Sequence, residues 1–128
     1  MRQARTDAEA ATVLAVTRAG GRIIAGTDSP MMPFAVSLHT ELEHYVDGGL
    51  TPFEVLRTAT VNAEALGSRD DLGTLEPGRL ADMVIVEGDP LTDITNTRRV
   101  RAVTKNGSLF ELDSLLGSRG PRPKALER

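Results

Sequence analysis

The residues that could do chemistry gather at one point of the sequence, where a carboxylate follows a short apolar run. The run is Ile23-Ile24-Ala25, and Gly26-Thr27-Asp28-Ser29 comes directly after it. A run of this kind predicts a short buried strand over residues 22–25. In α/β enzymes the catalytic groups lie just past the carboxyl ends of strands. Asp28 is therefore the first candidate for catalysis, with an Asx turn that only shapes the loop as the structural alternative.

Ser29 and two histidines are the other candidates. Ser29 is not surrounded by the G-x-S-x-G turn that exposes a serine nucleophile, so a turn hydroxyl is its alternative. His39 and His44 are five residues apart, which places them roughly 140° from each other on a helix. They cannot form the i, i+4 pair that binds zinc in H-E-x-x-H. His39 lies at the edge of an apolar stripe near the Asp28 loop and stays a candidate, whereas we expect His44 on the solvated surface.

Two further groups of charged residues have a structural interpretation. Asp82 precedes a β-branched run, and we expect a hydrogen-bonded carboxylate at the start of a strand. Arg98, Arg99 and Arg101 are expected on a solvated strand face rather than in an anion site.

Composition limits the classes of function. A chain of 128 residues is long enough for a domain with its own core. The net charge of −3 gives no basic stripe, so we expect no nucleic-acid partner. No stretch is long enough to cross a bilayer and no signal-peptide core follows the basic N-terminus, so we expect a cytoplasmic protein without a membrane partner. The absence of cysteine excludes disulfides and thiolate chemistry.

The first half of the sequence predicts three helices around the apolar run. A capping box at 6–9 predicts the start of the first helix, which ends at Gly20-Gly21. Apolar spacing predicts the second helix over 35–46. The third is predicted from an N-cap at Thr51, with Pro52 in the first position and Glu54 completing a capping box. We expect it to reach Gly67, with these residues on its buried side: Phe53, Leu56, Ala59, Ala63 and Leu66.

The second half predicts strands and turns. A short extended piece over 72–75 is followed by a turn at Pro77-Gly78 and a strand over 82–86. Strands over 100–105 and 108–112 flank Asn106-Gly107, which is the strongest short-range signal of a β-hairpin. We therefore expect three regions: helix-strand-helix-helix over 1–67, β-strands over 68–113 and a flexible tail over 114–128.

Three segments in this order show a family resemblance. They are RIIAGTDS at 22–29, LHTELE at 38–43, and a run over 49–93 that contains GLTPFEVLRTAT, GTLEPGRLAD and EGDPL. Together they resemble the C-terminal third of the metal-dependent amidohydrolase superfamily, in its imidazolonepropionase-like and prolidase-like branch.

The resemblance implies a (β/α)₈ barrel with a small β-sandwich built from both chain ends. It assigns 22–25 to the last barrel strand, 35–46 to the last barrel helix and 72–112 to sandwich strands. The implied fold class is α/β, as an α+β fragment: the last βα unit of the barrel plus the C-terminal sandwich strands, completed by oligomerisation. Asp28 matches the family aspartate that binds a divalent metal, zinc above all, and takes a proton from the attacking water.

The sequence also departs from the family pattern. The family's other ligands are a His-x-His pair on the first strand, a bridging Lys or Glu, and two histidines on later strands. No histidine precedes His39, so none of these is present. A whole barrel needs roughly 250 residues, and part of one leaves unpaired strand edges.

Three functions are compatible with these observations. The first is an amidohydrolase-related hydrolase that attacks amide, lactam or ester carbonyls of a small-molecule substrate with activated water. Asp28 is then base and metal ligand, His39 orients the substrate, and a homo-oligomer or partner completes the site. The second is a non-catalytic truncated domain that acts as an oligomerising module. The third is a small metal-free esterase that uses Ser29, His39 and Asp28.

Overall fold

The fold has a helical first half and a β-sheet in the second half. The computed structural model describes residues 2–28, 30–33, 36–67, 71–117 and 124–125. Its elements in chain order are helices α1 (Arg2–Arg18), α2 (Val36–Asp47) and α3 (Pro52–Thr58), a first 3₁₀ helix (Val61–Leu66), strand β1 (Met83–Val86), a second 3₁₀ helix (Ile94–Arg98), strands β2 (Val100–Lys105) and β3 (Ser108–Glu111), helix α4 (Leu112–Leu116) and strand β4 (Lys124–Ala125). This mixture confirms the α and β content that the sequence predicts. The barrel, the sandwich and their completion by oligomerisation stay predictions.

Helix α1 ends where the sequence predicts but begins earlier. It starts at Arg2, so Thr6 lies inside the helix and the predicted capping box does not open it. The first residues include arginine, glutamine and alanine, which favour helix strongly. At the other end Gly20 has φ +83°, and Gly21 donates its N–H to the Val16 carbonyl at 2.9 Å. These are the left-handed residue and the long backbone bond of a Schellman motif.

Helix α2 also ends in a Schellman motif, and the residue that follows it lies in the core. Gly49 has φ +100°, and Leu50 donates its N–H to the Tyr45 carbonyl at 3.1 Å. The reversal turns the Leu50 side chain inward, where it is 3% exposed. The predicted bounds of 35–46 are confirmed within one residue, and Ala35 lies outside the described residues.

The start of α3 is confirmed, and its end is not. The Thr51 hydroxyl accepts the Glu54 N–H at 3.3 Å, and the Glu54 carboxylate accepts the Thr51 N–H at 2.8 Å. The helix stops at Thr58 instead of reaching Gly67. The hydroxyls of Thr58 and Thr60 donate to the carbonyls of the preceding turn, at 2.7 and 2.8 Å, and so compete with the next backbone amides. A 3₁₀ helix follows because the α-helical bonds are interrupted.

The prediction that Phe53 lies on the buried side of α3 is wrong. Phe53 is 59% exposed, whereas Val55 is completely buried. The Arg57 guanidinium instead lies over the Phe53 ring, 5.9 Å from its centroid, as in a cation–π contact. The helix is only seven residues long, so its inner face is set by the neighbours of Val55 and Thr58 rather than by a long apolar stripe.

The predicted strand over 22–25 is not formed. Ala25 donates its N–H to the Thr58 carbonyl at 3.0 Å, and the Asn62 amide donates to the Ile23 carbonyl at 2.9 Å. The described strands all belong to the one sheet of the second half, so this segment has no strand beside it. Since a strand is defined by pairing, the apolar run is held by α3 and the first 3₁₀ helix instead.

The sheet confirms the predicted hairpin. Its order is β1-β2-β3-β4, and every neighbouring pair is antiparallel. Asn106 and Gly107 have φ of +50° and +76°, as a type I′ turn requires, and the turn sets Lys105 opposite Ser108. The turn at Pro77-Gly78 is also confirmed, with Gly78 at φ +90°. The predicted extended piece over 72–75 forms no strand, and Lys124–Ala125 of the predicted tail pairs with β3.

The core connects the two halves of the chain. Four buried residues from α2, the α3 entry and the second 3₁₀ helix form one cluster: Leu42, Leu50, Val55 and Ile94. Ala25 packs against this cluster, so the segment that leads to Asp28 is anchored in the core. In the part of the chain that the structure describes, no helix combines the length and the apolar character needed to cross a membrane.

Candidate functional site

Asp28 lies in an exposed loop with an unusual backbone conformation. Its φ is +47°, in the left-handed region that Asp tolerates better than most residues. Its carbonyl accepts the Met31 N–H at 2.9 Å, which closes a turn. The backbone carbonyl closes this turn, whereas the Asx turn considered for Asp28 uses the side chain. The residue is exposed, so its carboxylate lies at the surface. Ser29 lies outside the described residues.

The Asp28 loop borders a cavity between α1 and α2. The cavity has a volume of about 470 Å³, within the range of small-molecule sites. Ala10 and Val13 of α1 form part of its apolar wall, and the polar side chains around it include Glu41, His44 and Tyr45. The cavity therefore joins Asp28 to His44, the histidine assigned from sequence to the solvated surface.

His39 faces away from this cavity and contacts the second 3₁₀ helix. Its Nδ1 lies 3.1 Å from the hydroxyl oxygen of Thr97. That hydroxyl donates to the Ile94 carbonyl at 2.8 Å, so it accepts from His39 and assigns the proton to Nδ1. The pKa of His39 is lowered from 6.5, first by burial and then by the positive charge of Arg98, while Glu43 opposes the shift. The structure does not bring His39 and Asp28 together.

Glu41 is a residue of this region that the sequence analysis did not single out. Its Oε1 accepts the Gly26 N–H at 3.1 Å and the Tyr45 hydroxyl at 2.5 Å. Burial first and the bond to Glu41 next raise the pKa of Tyr45, so the phenol stays protonated. The i, i+4 spacing of Glu41 and Tyr45 could have predicted their contact on α2. The contact of Glu41 with Gly26 had no such signal, because the two residues are distant in sequence.

The described residues do not form a metal site by themselves. No group of three or more His, Cys, Asp or Glu side chains with metal-binding geometry occurs among them. Catalytic zinc sites use three protein ligands, and structural sites use four. Asp28 can offer one carboxylate, so the residues described here do not suffice for the divalent metal that the resemblance implies.

Asp82 has the structural role predicted for it. Its Oδ1 accepts the Asn106 N–H at 2.7 Å, and its Oδ2 forms an ion pair with Lys105. The carboxylate thus ties the start of β1 to the hairpin turn.

The three arginines do not share one strand face. Arg98 ends the second 3₁₀ helix and forms a bidentate pair with Glu43 at 2.5 and 2.8 Å. Arg99 pairs with Glu87 at 3.3 Å, and Arg101 lies on β2. Since the first of them anchors α2, the expectation of a common solvated face is wrong for Arg98.

Comparison with known proteins places these elements in a family. The model of the amidohydrolase family matches residues 4–109. Ochratoxinase of Aspergillus niger is 36% identical over 115 residues, which are 85% of this chain and 23% of that protein. A Xaa-Pro dipeptidase structure with bound methionine superposes with a TM-score of 0.72 at 31% identity, covering 80% of this chain and 25% of the other. Molinate hydrolase gives a TM-score of 0.57 at 33% identity, covering 63% and 18%. The chain thus spans about a quarter of the length of the relatives that it matches over most of its residues.

Proposed function

Because the chain belongs to the amidohydrolase family, we propose that it contributes a catalytic carboxylate, Asp28, to a hydrolase that acts on amide, lactam or ester carbonyls. The observation that supports this most is the position of Asp28. It lies in a loop with positive φ, beside a cavity of small-molecule size, within the segment that the family model matches. Backbone conformations of this kind are concentrated at functional sites.

The proposed chemistry assigns one proton transfer to Asp28. The carboxylate accepts a proton from a water molecule as the water oxygen adds to the carbonyl carbon. The same proton then passes to the leaving nitrogen or oxygen when its bond to carbon breaks. Positioned proton transfer of this type contributes about 10²- to 10⁴-fold to a rate. The family is generally metal-dependent, but the described residues do not suffice for a metal, so no step is assigned to one.

The proposed substrates are small molecules with an apolar body and a hydrolysable carbonyl. The cavity beside Asp28 has an apolar wall with a few polar side chains, which is the usual character of small-ligand sites. The similar proteins include an ochratoxinase, a Xaa-Pro dipeptidase and a molinate hydrolase.

The proposal includes completion of the site by another chain or another copy. The described residues include no group of three or more side chains that could hold a metal ion, so a complete metal site needs ligands from elsewhere. We propose that a homo-oligomer or a complementary amidohydrolase segment supplies them.

An oligomerising module without activity is the second candidate. Strand β1 is at the edge of the sheet, and its Val84 and Ile85 are 60% and 44% exposed. An exposed apolar edge strand is a template for pairing with another chain. Light scattering of the wild type and of Val84→Lys gives their molecular masses. Association through this edge predicts a larger mass for the wild type than for the variant, whereas a monomer predicts equal masses. The placement of His39 against Thr97 does not favour the third function, the metal-free esterase.

The test is hydrolysis by two forms of the protein. The first is the chain alone over a series of concentrations, and the second is a chimera in which it replaces the matched segment of the Aspergillus niger ochratoxinase. Both are assayed on prolyl dipeptides, aryl amides and esters, with molecular mass measured in parallel. We expect a specific activity that rises with association, or activity in the chimera. A correctly assembled protein that hydrolyses nothing would contradict the proposed function and favour the non-catalytic module.

A further inference from the structure

The loop that presents Asp28 is fastened to α2 through one carboxylate. Glu41 Oε1 accepts the Gly26 N–H at 3.1 Å, two residues before Asp28. The same oxygen accepts the Tyr45 hydroxyl, which lies one helical turn further along α2. A bond to an ionised acceptor is about twice as strong as one between neutral groups. The contact therefore links α2 to the loop, in addition to the bond from the Ser37 hydroxyl to the Pro33 carbonyl at 2.5 Å.

The backbone before this point is already fixed. Ala25 donates its N–H to the Thr58 carbonyl at 3.0 Å and packs against the core cluster. Beyond Gly26, the carbonyl of Asp28 accepts the Met31 N–H and closes the turn. The Gly26 bond to Glu41 thus lies between the core anchor and the turn.

The surroundings of Glu41 favour a single orientation of its side chain. Its Oε2 is excluded from solvent and has no hydrogen-bond partner among the described residues. A buried carboxylate oxygen without a partner is costly, so it requires compensation. The two bonds at Oε1 stabilise the side chain in the orientation that buries Oε2. Tyr45 remains protonated because its pKa is raised, so it stays a donor.

We propose that Glu41 is a positioning residue, which holds the Gly26 N–H and thereby fixes the loop that presents Asp28. The inference rests on the proposed function, since the position of Asp28 affects a rate only if Asp28 acts in hydrolysis. Glu41 itself does not touch the reacting atoms in this account.

Two variants of Glu41 separate its acceptor role from its bulk. Glu41→Met removes both carboxylate oxygens and keeps a side chain of similar length. Glu41→Gln keeps an acceptor oxygen and serves as the conservative rescue. Glu43→Met is the matched control on the same helix, because Glu43 pairs with Arg98 of the second 3₁₀ helix. Gly26→Ala is a second control, since it keeps the N–H and its added Cβ meets nothing within 4 Å.

The first readout is hydrogen exchange of the Gly26 amide by NMR of the intact chain, with circular dichroism as the check on folding. We expect Glu41→Met to speed this exchange about 10- to 100-fold, the range of a lost bond to a charged group. Glu41→Gln should recover most of the protection, Glu43→Met should leave it unchanged, and the amide of residue 26 in Gly26→Ala should keep the same protection factor. Unchanged exchange in a folded Glu41→Met protein, or equal acceleration in Glu43→Met, would overturn the inference.

The second readout is the kinetics of the active form identified by the hydrolysis test. We expect Glu41→Met to lower kcat about tenfold or more with little change in KM, and Glu41→Gln to restore most of it. Faster Gly26 exchange with unchanged kcat would overturn the positioning role. If the wild type hydrolyses nothing, the proposed function and the positioning role both fail, while the exchange data still decide whether Glu41 holds the loop.

Discussion

The Nδ1 of His39 lies 3.1 Å from the hydroxyl of Thr97, which joins α2 to the second 3₁₀ helix across 58 residues of sequence. The Arg98–Glu43 pair connects the same two elements beside it. Ile94, at the start of the 3₁₀ helix, reaches the core cluster between them. The contact region is therefore an interface between α2 and the second 3₁₀ helix. His39 lies in this interface rather than in the Asp28 cavity.

Burial and the charge of Arg98 both disfavour the protonated form of His39. The pKa of His39 is lowered from 6.5 by burial first and by Arg98 next, while Glu43 opposes the shift. In Arg98→Gln the repelling cation is lost and Glu43 loses its pair, and both changes favour the protonated imidazole. We predict that the pKa of His39 rises in this variant, measured by NMR titration of the imidazole Cε1–H. Arg99→Gln is the control, and a pKa that stays or falls in Arg98→Gln would contradict the account.

The cap of α3 makes stability depend on pH in the acid range. Bonds from Arg18 first and from Thr51 next lower the pKa of Glu54 from 4.5 to about 2. A carboxyl with a depressed folded-state pKa stabilises the fold fully above its unfolded pKa and loses this effect as pH falls through the folded value. We therefore predict that the stability advantage of the wild type over Glu54→Gln is constant above pH 5 and shrinks between pH 4.5 and about 2.

Urea midpoints measured at intervals across that range test the prediction. Glu76→Gln serves as the control, because Glu76 pairs with Arg79 on the surface, away from any helix cap. An advantage that persists undiminished at pH 2.5 would show that the effect does not come from the ionised Glu54.

The core cluster predicts a strong contrast between two leucines. Leu50 is 3% exposed and lies in the cluster, whereas Leu75 is 74% exposed. Truncation of a buried leucine costs the transfer free energy plus the cavity that is left, so we expect Leu50→Ala to lower the free energy of unfolding by about 2 to 4 kcal/mol. Leu75→Ala should change it by less than about 0.5 kcal/mol. Similar losses in both variants, measured by denaturant unfolding, would contradict the assigned core.

Two local signals in the sequence predicted local structure, whereas the capping box at 6–9 did not mark the start of α1. The capping box of Thr51 and Glu54 and the Asn106-Gly107 turn involve residues within a few positions of one another, so their chemistry is visible in the sequence. The family resemblance was also predictable, because it depends on the order of several motifs, and the comparison confirms it.

Long-range contacts were not predictable from the same signals. The run at 22–25 has the composition of a strand, but whether it pairs depends on neighbours that no local pattern specifies. His39 was a candidate through its place near the Asp28 loop and through the family resemblance, whereas its contact in the structure is with Thr97. Glu41 was overlooked because its contact with Gly26 spans 15 residues.

The most direct test of the central claim is kcat/KM of Asp28→Asn in the active form of the protein. The substitution keeps the size of the side chain and removes its ability to accept a proton. Asp47→Asn, on the exposed end of α2, is the matched control. We predict that Asp28→Asn lowers kcat/KM about 10²- to 10⁴-fold while the fold and the control remain unaffected. Hydrolysis by Asp28→Asn at the rate of the wild type would contradict the account.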